Sequence, residues 1–522
     1  MVHSSEYQSV AQRYAHLSTS RESYLRRARE AATLTIPSLI PPEGHSESTE
    51  FDTPYQAVGA RGVNNLASKL LMALLPPNAP FFRLTIDDFD IVEVAGPDAR
   101  GAVEEALARI ERTAMGEVEA LALRVPTFEI LKHLLVGGNG LLYMPKKGSV
   151  KFYRLDRYVV KRDYMGNLME IITKESVSPM MLPKEAQEIL GDDSDTTKNV
   201  DLFTCVQRTD RGWKIHQEVK GEVVQGTEGT YPEDKNPFIP LRLNRIDGED
   251  YGRGFVEEYL GDLRSLEQLT RAIVEGSAAS AKVLFLVAPN GTTKASTLAK
   301  SPNGAIVTGS AADVSTLQVQ KGSDFAVALQ TIQIITERLS FAFLLNSSVQ
   351  RNAERVTAEE VRFMAQELES ALGGVYSILS QEFQLPLVKL LLNRLASQGK
   401  MPKMPKDSIK PQIVTGIEAL GRGQDLNRLA QLLNYLQPLG PEVIQKYMNV
   451  DDYIDRLGAS LGIDTGGLIK SPEELQAEQQ QAQQQQQQQM MQATMGKMAE
   501  RAAPELAKQS PEQQLQQQAQ EQ

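Results

Sequence analysis

Cysteine is nearly absent from this chain of 522 residues: Cys205 stands alone, so no intrachain disulfide is possible, which suits folding in a reducing cytoplasm. Histidine is almost as scarce. His3, His16, His45, His133 and His216 are scattered, with no His-x-x-x-His pair and no Cys-x-x-Cys, so neither metal ligation nor any other cofactor is expected. No apolar run approaches the roughly 18 residues of a membrane span, and residues 1–6 lack the charged-then-apolar order of a signal peptide. A soluble protein with no membrane partner is the expectation. No G-x-x-x-x-G-K-[ST] loop occurs, so the chain is not expected to hydrolyse ATP. Basic charge is also short. Against 66 Asp and Glu there are 55 Lys and Arg, a net charge of −11, whereas a general nucleic-acid binder shows a basic face. Any contact with DNA should be confined to a few loops.

Weak motifs read as structure. Asp87-Asp88-Asp90 and Asp192-Asp193-Asp195 lack the central Gly and terminal Glu of an EF-hand and read as solvated turns. Gly137-Gly138-Asn139-Gly140 precedes a strand instead of opening a helix, so it reads as a turn. Cys205 and Trp213 fall in strand patterns and read as core.

What the chain does have is a long helical pattern over residues 356–398. Thr357 and Glu360 form a capping box, and Val361, Met364, Leu368, Leu372, Val375, Leu379, Phe383, Leu387, Leu391 and Leu395 recur on one face. One helix of that length would run roughly 60 Å. Pro386 should bend it, and Gly373-Gly374 is a second soft point. Before it lies a polar loop, residues 346–355. A preceding helix opens at Ser323/Asp324 with Phe325, Leu329, Ile332, Ile335 and Leu339 on one side and Gln330, Gln333 and Glu337 on the other.

The remainder divides by texture. Up to residue 37 two short helices are predicted, the second capped at Ser20, with Arg21, Arg26, Arg27 and Arg29 on a solvated face. Thr53-Pro54 starts a helix carrying Val58, Val63, Leu66, Leu70 and Leu74, which Pro76-Pro77 stops. A strand over 81–86 and helices over 97–124 and 127–136 follow. Short strands are predicted over 141–144, 150–155, 158–162, 168–176, 200–207 and 213–219. Helix resumes over 254–281 and ends in small residues from Gly276. A β-rich insertion then has strands over 283–287, 305–308 and 314–319, with turns at Pro289-Asn290-Gly291 and Pro302-Asn303-Gly304. Residues 417–463 read as helical with a break at Gly421-Arg422-Gly423. Beyond Pro472 the chain is Gln-rich, without the apolar content for a core of its own.

Several stretches carry a resemblance: Asn346-Ser347-Ser348-Val349-Gln350-Arg351, Arg355-Val356-Thr357-Ala358-Glu359-Glu360-Val361-Arg362, Leu372-Gly373-Gly374-Val375-Tyr376-Ser377 and Gln384-Leu385-Pro386-Leu387-Val388. Here the sequence resembles the portal proteins, or head-to-tail connectors, of short-tailed double-stranded-DNA bacteriophages that encode their own RNA polymerase. The resemblance covers almost the whole chain and is weakest after about residue 471. It implies an α+β portal fold assembled as a ring: a wing over 1–253, stem helices over 254–282 and 322–345, a β-rich clip over 283–321 and a channel loop over 346–356. A long kinked helix over 357–398, a helical crown over 399–475 and a Gln-rich tail over 476–522 complete it.

The same resemblance implies a dodecameric homo-oligomer at one capsid vertex of the virion, assembled in the host cytoplasm. Double-stranded DNA would be packaged and ejected through it without sequence specificity. Its implied partners are the terminase large subunit, scaffolding protein, major capsid protein, tail adaptor and tubular tail proteins, and internal core proteins at the crown. The DNA-facing residues would be Asn346, Gln350, Arg351, Asn352 and Arg355, since arginine suits phosphate oxygens and the amides hydrogen-bond the backbone. Pairing of the two arginines with Glu354 or Glu359 is the structural alternative. Gln330, Gln333 and Glu337 would form part of a channel wall, and Asn290, Gly291, Pro302, Asn303 and Gly304 clip tips for tail or terminase docking. Rival readings are a non-portal scaffold or head-tail adaptor, and a packaging ATPase or nuclease.

Overall fold

The computed structural model describes residues 9–46, 48–77, 80–85, 100–191, 198–280, 284–317, 322–345, 358–372, 374–400, 412–416 and 422–440, with residues 447, 448, 450, 453, 454, 457, 458, 484, 485, 487 and 490. The chain divides into two units, residues 1–438 and 439–522. Of the second, residues 439 and 440 and those last scattered residues are described, several of them helical.

The first unit opens with one helix, α1 (Val10–Thr33), where two were expected. Ser9 is the true cap, its Oγ accepting from the Gln12 amide, and the Glu218 carboxylate takes the Val10 and Ala11 amides at 2.8 and 3.2 Å. The Ser18-Thr19-Ser20 run that imitated a helix start is mid-helix. Ser18 and Thr19 bond back to the Ala15 carbonyl at 2.7 and 3.4 Å, so their hydroxyls do not compete with the helix.

The arginines of α1 also depart from expectation. Only Arg26 lies on an exposed face. Arg21 is buried and donates to the Tyr158 and Asp156 carbonyls and the Tyr14 hydroxyl at 2.8, 3.2 and 3.0 Å. Arg27 pairs with Glu257 at 3.1 Å and lies over the Tyr24 ring. Arg29 donates to the Pro41 carbonyl.

Helix α2 (Val58–Leu74) begins five residues after Thr53, because Gln56 Oε1 accepts the Gly59 amide at 2.9 Å and Glu267 fixes the Tyr55 and Gln56 amides. Strand β1 (Phe82–Thr85) follows, then helices α3 (Arg100–Ala120) and α4 (Arg124–Gly137). Gly138, at φ +72°, closes α4, and a Cβ there would lie 2.2 Å from the Arg253 backbone.

Strands β2 (Asn139–Tyr143) and β3 (Lys151–Tyr153) make a three-stranded sheet with β10 (Phe238–Arg242). Strands β4 (Tyr158–Arg162), β5 (Leu168–Val177), β6 (Val200–Thr209), β7 (Gly212–Val219) and β8 (Glu222–Val223) form an antiparallel meander, with β9 (Gly229–Tyr231) also on β7. Both faces of the meander are covered. On neighbouring positions Ile171 and Val206 join the main core, while Ile172 and Cys205 pack with Tyr14 and Leu17 of α1. A short helix, α5 (Lys184–Leu190), covers Leu202 and Val219. Trp213 is buried with its indole N–H on the Glu233 carbonyl, as its core reading anticipated.

Helices α6 (Phe255–Glu258) and α7 (Leu260–Ser280) lead to β11 (Leu284–Val287), the six-residue helix α8 (Ala295–Lys300), β12 (Val314–Leu317) and α9 (Gly322–Ala342). Residues 305–308, expected as a strand, carry irregular backbone, and α8 had no sequence signal beyond its composition.

The anticipated single rod is three helical pieces: α10 (Ala358–Ala371), α11 (Val375–Leu379) and α12 (Leu385–Ser397), with a π-helical turn over Ser380–Gln384 between the last two. Gly374, at φ +90°, breaks the first junction. Glu369 then caps α11, accepting the Ser377 amide at 3.0 Å and its hydroxyl at 2.5 Å. Pro386, which lacks an amide donor, sits at the start of α12 directly after the π turn. These pieces are embedded in the body. Leu368, Tyr376, Leu379, Phe383, Leu387, Val388 and Leu391 belong to the main core.

Polar contacts fix the pieces further. Gln384 reaches the Leu74 carbonyl, Arg242 pairs with Glu382, and Arg394 with Glu117, each at 2.8 Å. A two-stranded pair joins β1 to β13 (Gln412–Thr415) across more than 300 positions. Helix α13 (Arg422–Leu436) includes Gly423, where a break was expected.

Candidate channel and docking surfaces

Helices α7 and α9 lie antiparallel. Arg338 meets Asp262 at 2.6 Å near one end, and Phe325 covers Gly276 near the other, where a Cβ would come within 2.9 Å of the ring. The small residue therefore lets the helices approach. Leu263, Leu266, Ile335 and Leu339 are buried at the end nearest the body, with Ile273 and Phe325 half-buried farther along. Leu329, expected on the buried side, is 55% exposed, and Val327, Ile334 and Phe341 are exposed as well. Gln330, Gln333 and Glu337 form a polar exposed row, with Gln333 Nε2 donating to Glu337 Oε1 at 3.3 Å.

Beyond the helices, β11 and β12 pair antiparallel, Leu284 with Leu317 through Val287 with Val314. The excursion between them is fixed by one carboxylate. Asp313 accepts the Thr293 amide at 3.0 Å and the Thr292 and Thr293 hydroxyls at 2.9 and 3.2 Å. These donors, the Thr293 amide first, hold its carboxyl below the usual range. A Cβ at Gly291 would lie 2.5 Å from that carboxylate, so the close approach requires glycine. Asn290 is exposed and Gly291 partly so. At the second turn Pro302, Asn303 and Gly304 are exposed, with Gly304 at φ +84° and the Ala305 amide on the Pro302 carbonyl. Ile306 beside it is fully exposed. The candidate clip-tip residues thus lie in two turns of one braced excursion.

The loop residues Asn346, Gln350, Arg351, Asn352 and Arg355, with the capping residue Thr357, lie outside the described residues, as do both aspartate runs. The seat before that loop is described, and the sequence reading missed it. Asn65 Nδ2 donates to the Phe343 and Leu344 carbonyls at 2.9 and 3.0 Å, and Lys69 Nζ reaches the Leu344 carbonyl at 3.3 Å and Glu367 at 3.7 Å. Burial lowers the Lys69 pKa, and Glu367 partly offsets that. The signal was present: Gly62, Asn65 and Lys69 share a face with the core residues Val63, Leu66 and Leu70, where a lysine demands a partner.

No helix among the described residues is long and apolar enough to cross a membrane. A profile described as "Bacteriophage head to tail connecting protein" matches residues 7–469. The protein named "Portal protein" of Escherichia phage T7 is 44% identical over 474 residues, covering 89% of this chain and 88% of that one. The "Portal protein" of Enterobacteria phage T3 is 45% identical over 474 residues with the same coverage, 89% and 88%. That of Enterobacteria phage SP6 is 34% identical over 481 residues, 88% of this chain and 90% of that one. Backbone comparison pairs the chain with the "Neck of empty GTA particle computed with C6 symmetry" at 10% identity and a TM-score of 0.29, over 72% and 86% of the two chains, a likeness too slight to bear on the fold.

Proposed function

This chain belongs to the head-to-tail connecting proteins of bacteriophages, and from that membership we infer how its parts serve the portal that joins head to tail. The observation that carries the reading is identity above 40% to two portal proteins along nearly nine-tenths of the chain. Copies close into a ring, dodecameric as the resemblance implies, at one capsid vertex. Residues 1–253 act as the wing, α7 and α9 as the stem and residues 283–321 as the clip. Residues 357–398, broken into α10, α11 and α12, bear on the wing, residues 399–475 form the crown, and residues 476–522 the tail.

Double-stranded DNA passes in during packaging and out at ejection. The loop at 346–356 faces it, with Arg351 and Arg355 meeting phosphates and Asn346, Gln350 and Asn352 meeting the backbone without reading bases. Tight binding would stop translocation. The exposed row Gln330, Gln333 and Glu337 supports a channel wall that is polar to acidic and keeps phosphate affinity low. The clip's braced turns at Asn290-Gly291 and Pro302-Asn303-Gly304 serve as docking tips for the terminase large subunit during packaging and tail proteins afterwards. Scaffolding, major capsid and internal core proteins meet other faces. The chain supplies conduit and docking surfaces, and ATP is hydrolysed by the motor.

Arg351→Ala, supplied in place of the wild-type chain during phage assembly, tests the loop. Closed rings by native mass spectrometry, with fewer DNA-filled heads, are expected. Normal filling with failed assembly would make the loop architectural.

A further inference from the structure

We propose that Asn65 and Lys69 of α2 are positioning residues for DNA passage, holding together the two helix ends between which the loop is strung. This rests on the reading that residues 346–356 face the duplex, but it concerns residues outside that loop.

The end of α9 is built in an unusual way. Leu344 adopts φ +51°, a left-handed conformation that a branched apolar residue normally avoids and that glycine usually supplies at a helix end. The Leu344 and Leu345 amides bond back to the Phe341 and Ser340 carbonyls at 3.1 and 2.8 Å, so the terminus is tightly wound. The Phe343 and Leu344 carbonyls stand at this helix end. Both are taken by α2: Asn65 donates to each, and Lys69 to the second.

One turn earlier, Gly62 makes room for the buried Phe343 ring, whose Cγ would lie 2.4 Å from a Cβ there. Phe343 also packs edge-on against Phe255, with centroids 5.7 Å apart. Gly62, Asn65 and Lys69, spaced three and four apart, thus form one seat along α2. A strained residue persists only where its surroundings over-determine it, and here the surroundings are this seat.

Lys69 does a second thing. Its ammonium also faces Glu367 of α10, the helix to which the chain returns after the loop. A single buried side chain therefore touches both flanks, Leu344 before the loop and Glu367 after it. Displacing either flank relative to the body would break a contact to Lys69. The seat thereby fixes where the loop leaves and rejoins the wall, which a loop making weak, repeated contacts with a sliding duplex requires.

The test uses the full chain during phage assembly with Lys69→Met, which keeps the stem length without the charge, and Asn65→Leu. Closed rings should form as for wild type, while DNA-filled heads fall about tenfold, the scale of a lost coupling contact. Lys69→Arg, which keeps charge and donors, should recover most of the filling, whereas a purely space-filling role would show no such rescue. Normal filling by both variants overturns the inference. So does loss of rings in both, which would make the seat architectural. Arg351→Ala in the same assay separates the two readings. If it fills normally, the DNA-facing reading of the loop fails; if it does not and the α2 variants fill normally, only the present inference does.

Discussion

Single buried polar residues decide how this chain is held together. His133 on α4 is 2% exposed, packs against Phe152 with centroids 4.7 Å apart, and has a buried Nδ1 without a hydrogen-bond partner. Burial, helped by the nearby Arg154 and Lys132 charges, lowers its pKa from 6.5 to about 3. The unfolded chain therefore takes up a proton near pH 6.5 that the folded chain refuses until about pH 3. The stability due to the neutral imidazole is fully present above 6.5 and is lost as pH falls between those values, by up to about 1.4 kcal/mol per pH unit. Denaturant titrations at pH 7, 6 and 5 should show His133→Leu losing stability less steeply than wild type. Equal slopes would mean that the imidazole is charged in the fold. In the sequence His133 was one of five scattered histidines, and its burial depends on partners in β3 that no local pattern names.

Among the elements, legibility follows how local the deciding contacts are. Strand β4, Tyr158–Arg162, appears with the bounds expected from the turn residues beside it, because its first residues are apolar on both faces and a tight turn follows. Strand β13 had no such signal. Four residues pairing with β1 across the chain are selected by the tertiary structure, since no periodicity is measurable in so short a run. The helical pattern over 356–398 was legible, and so were its two weak points, yet the result is three pieces. Apolar periodicity continues through Gly374 and says nothing about a left-handed residue there. A Cβ at Gly374 meets nothing nearer than Glu369 Oε1 at 4.0 Å, so Gly374→Ala isolates the backbone cost from any packing cost. It should destabilise the chain by about 1–2 kcal/mol, measured by denaturant unfolding. A neutral or stabilising result would mean that α10 and α11 can fuse into one rod without loss.

At the scale of the whole molecule, the apolar residues left on α9 carry the argument. Val327, Ile334 and Phe341 recur every seven residues and are 66%, 53% and 78% exposed, so they lie in one stripe along the helix. The polar row of Gln330, Gln333 and Glu337 runs beside that stripe, rotated by part of a turn. An exposed apolar stripe calls for a cover, and the proposed ring would supply one, with a neighbouring copy on the stripe and the polar row left facing the lumen. The exposure of Gln330, Gln333 and Glu337 was legible because they alternate with apolar positions. The stripe was not, because periodicity marks a face as apolar without saying whether the same chain or another copy buries it. Leu329 shows the point, having been assigned to the intrachain side and found 55% exposed. Ile334→Asp places a charge in the middle of the proposed contact and should leave single folded chains where wild type is expected to give closed rings, with the far-ultraviolet circular dichroism unchanged. Gln333→Ala, on the adjoining row, should still close. If Ile334→Asp forms rings of the wild-type mass, the stripe is not the seam between copies and the polar row loses its reason to face the duplex.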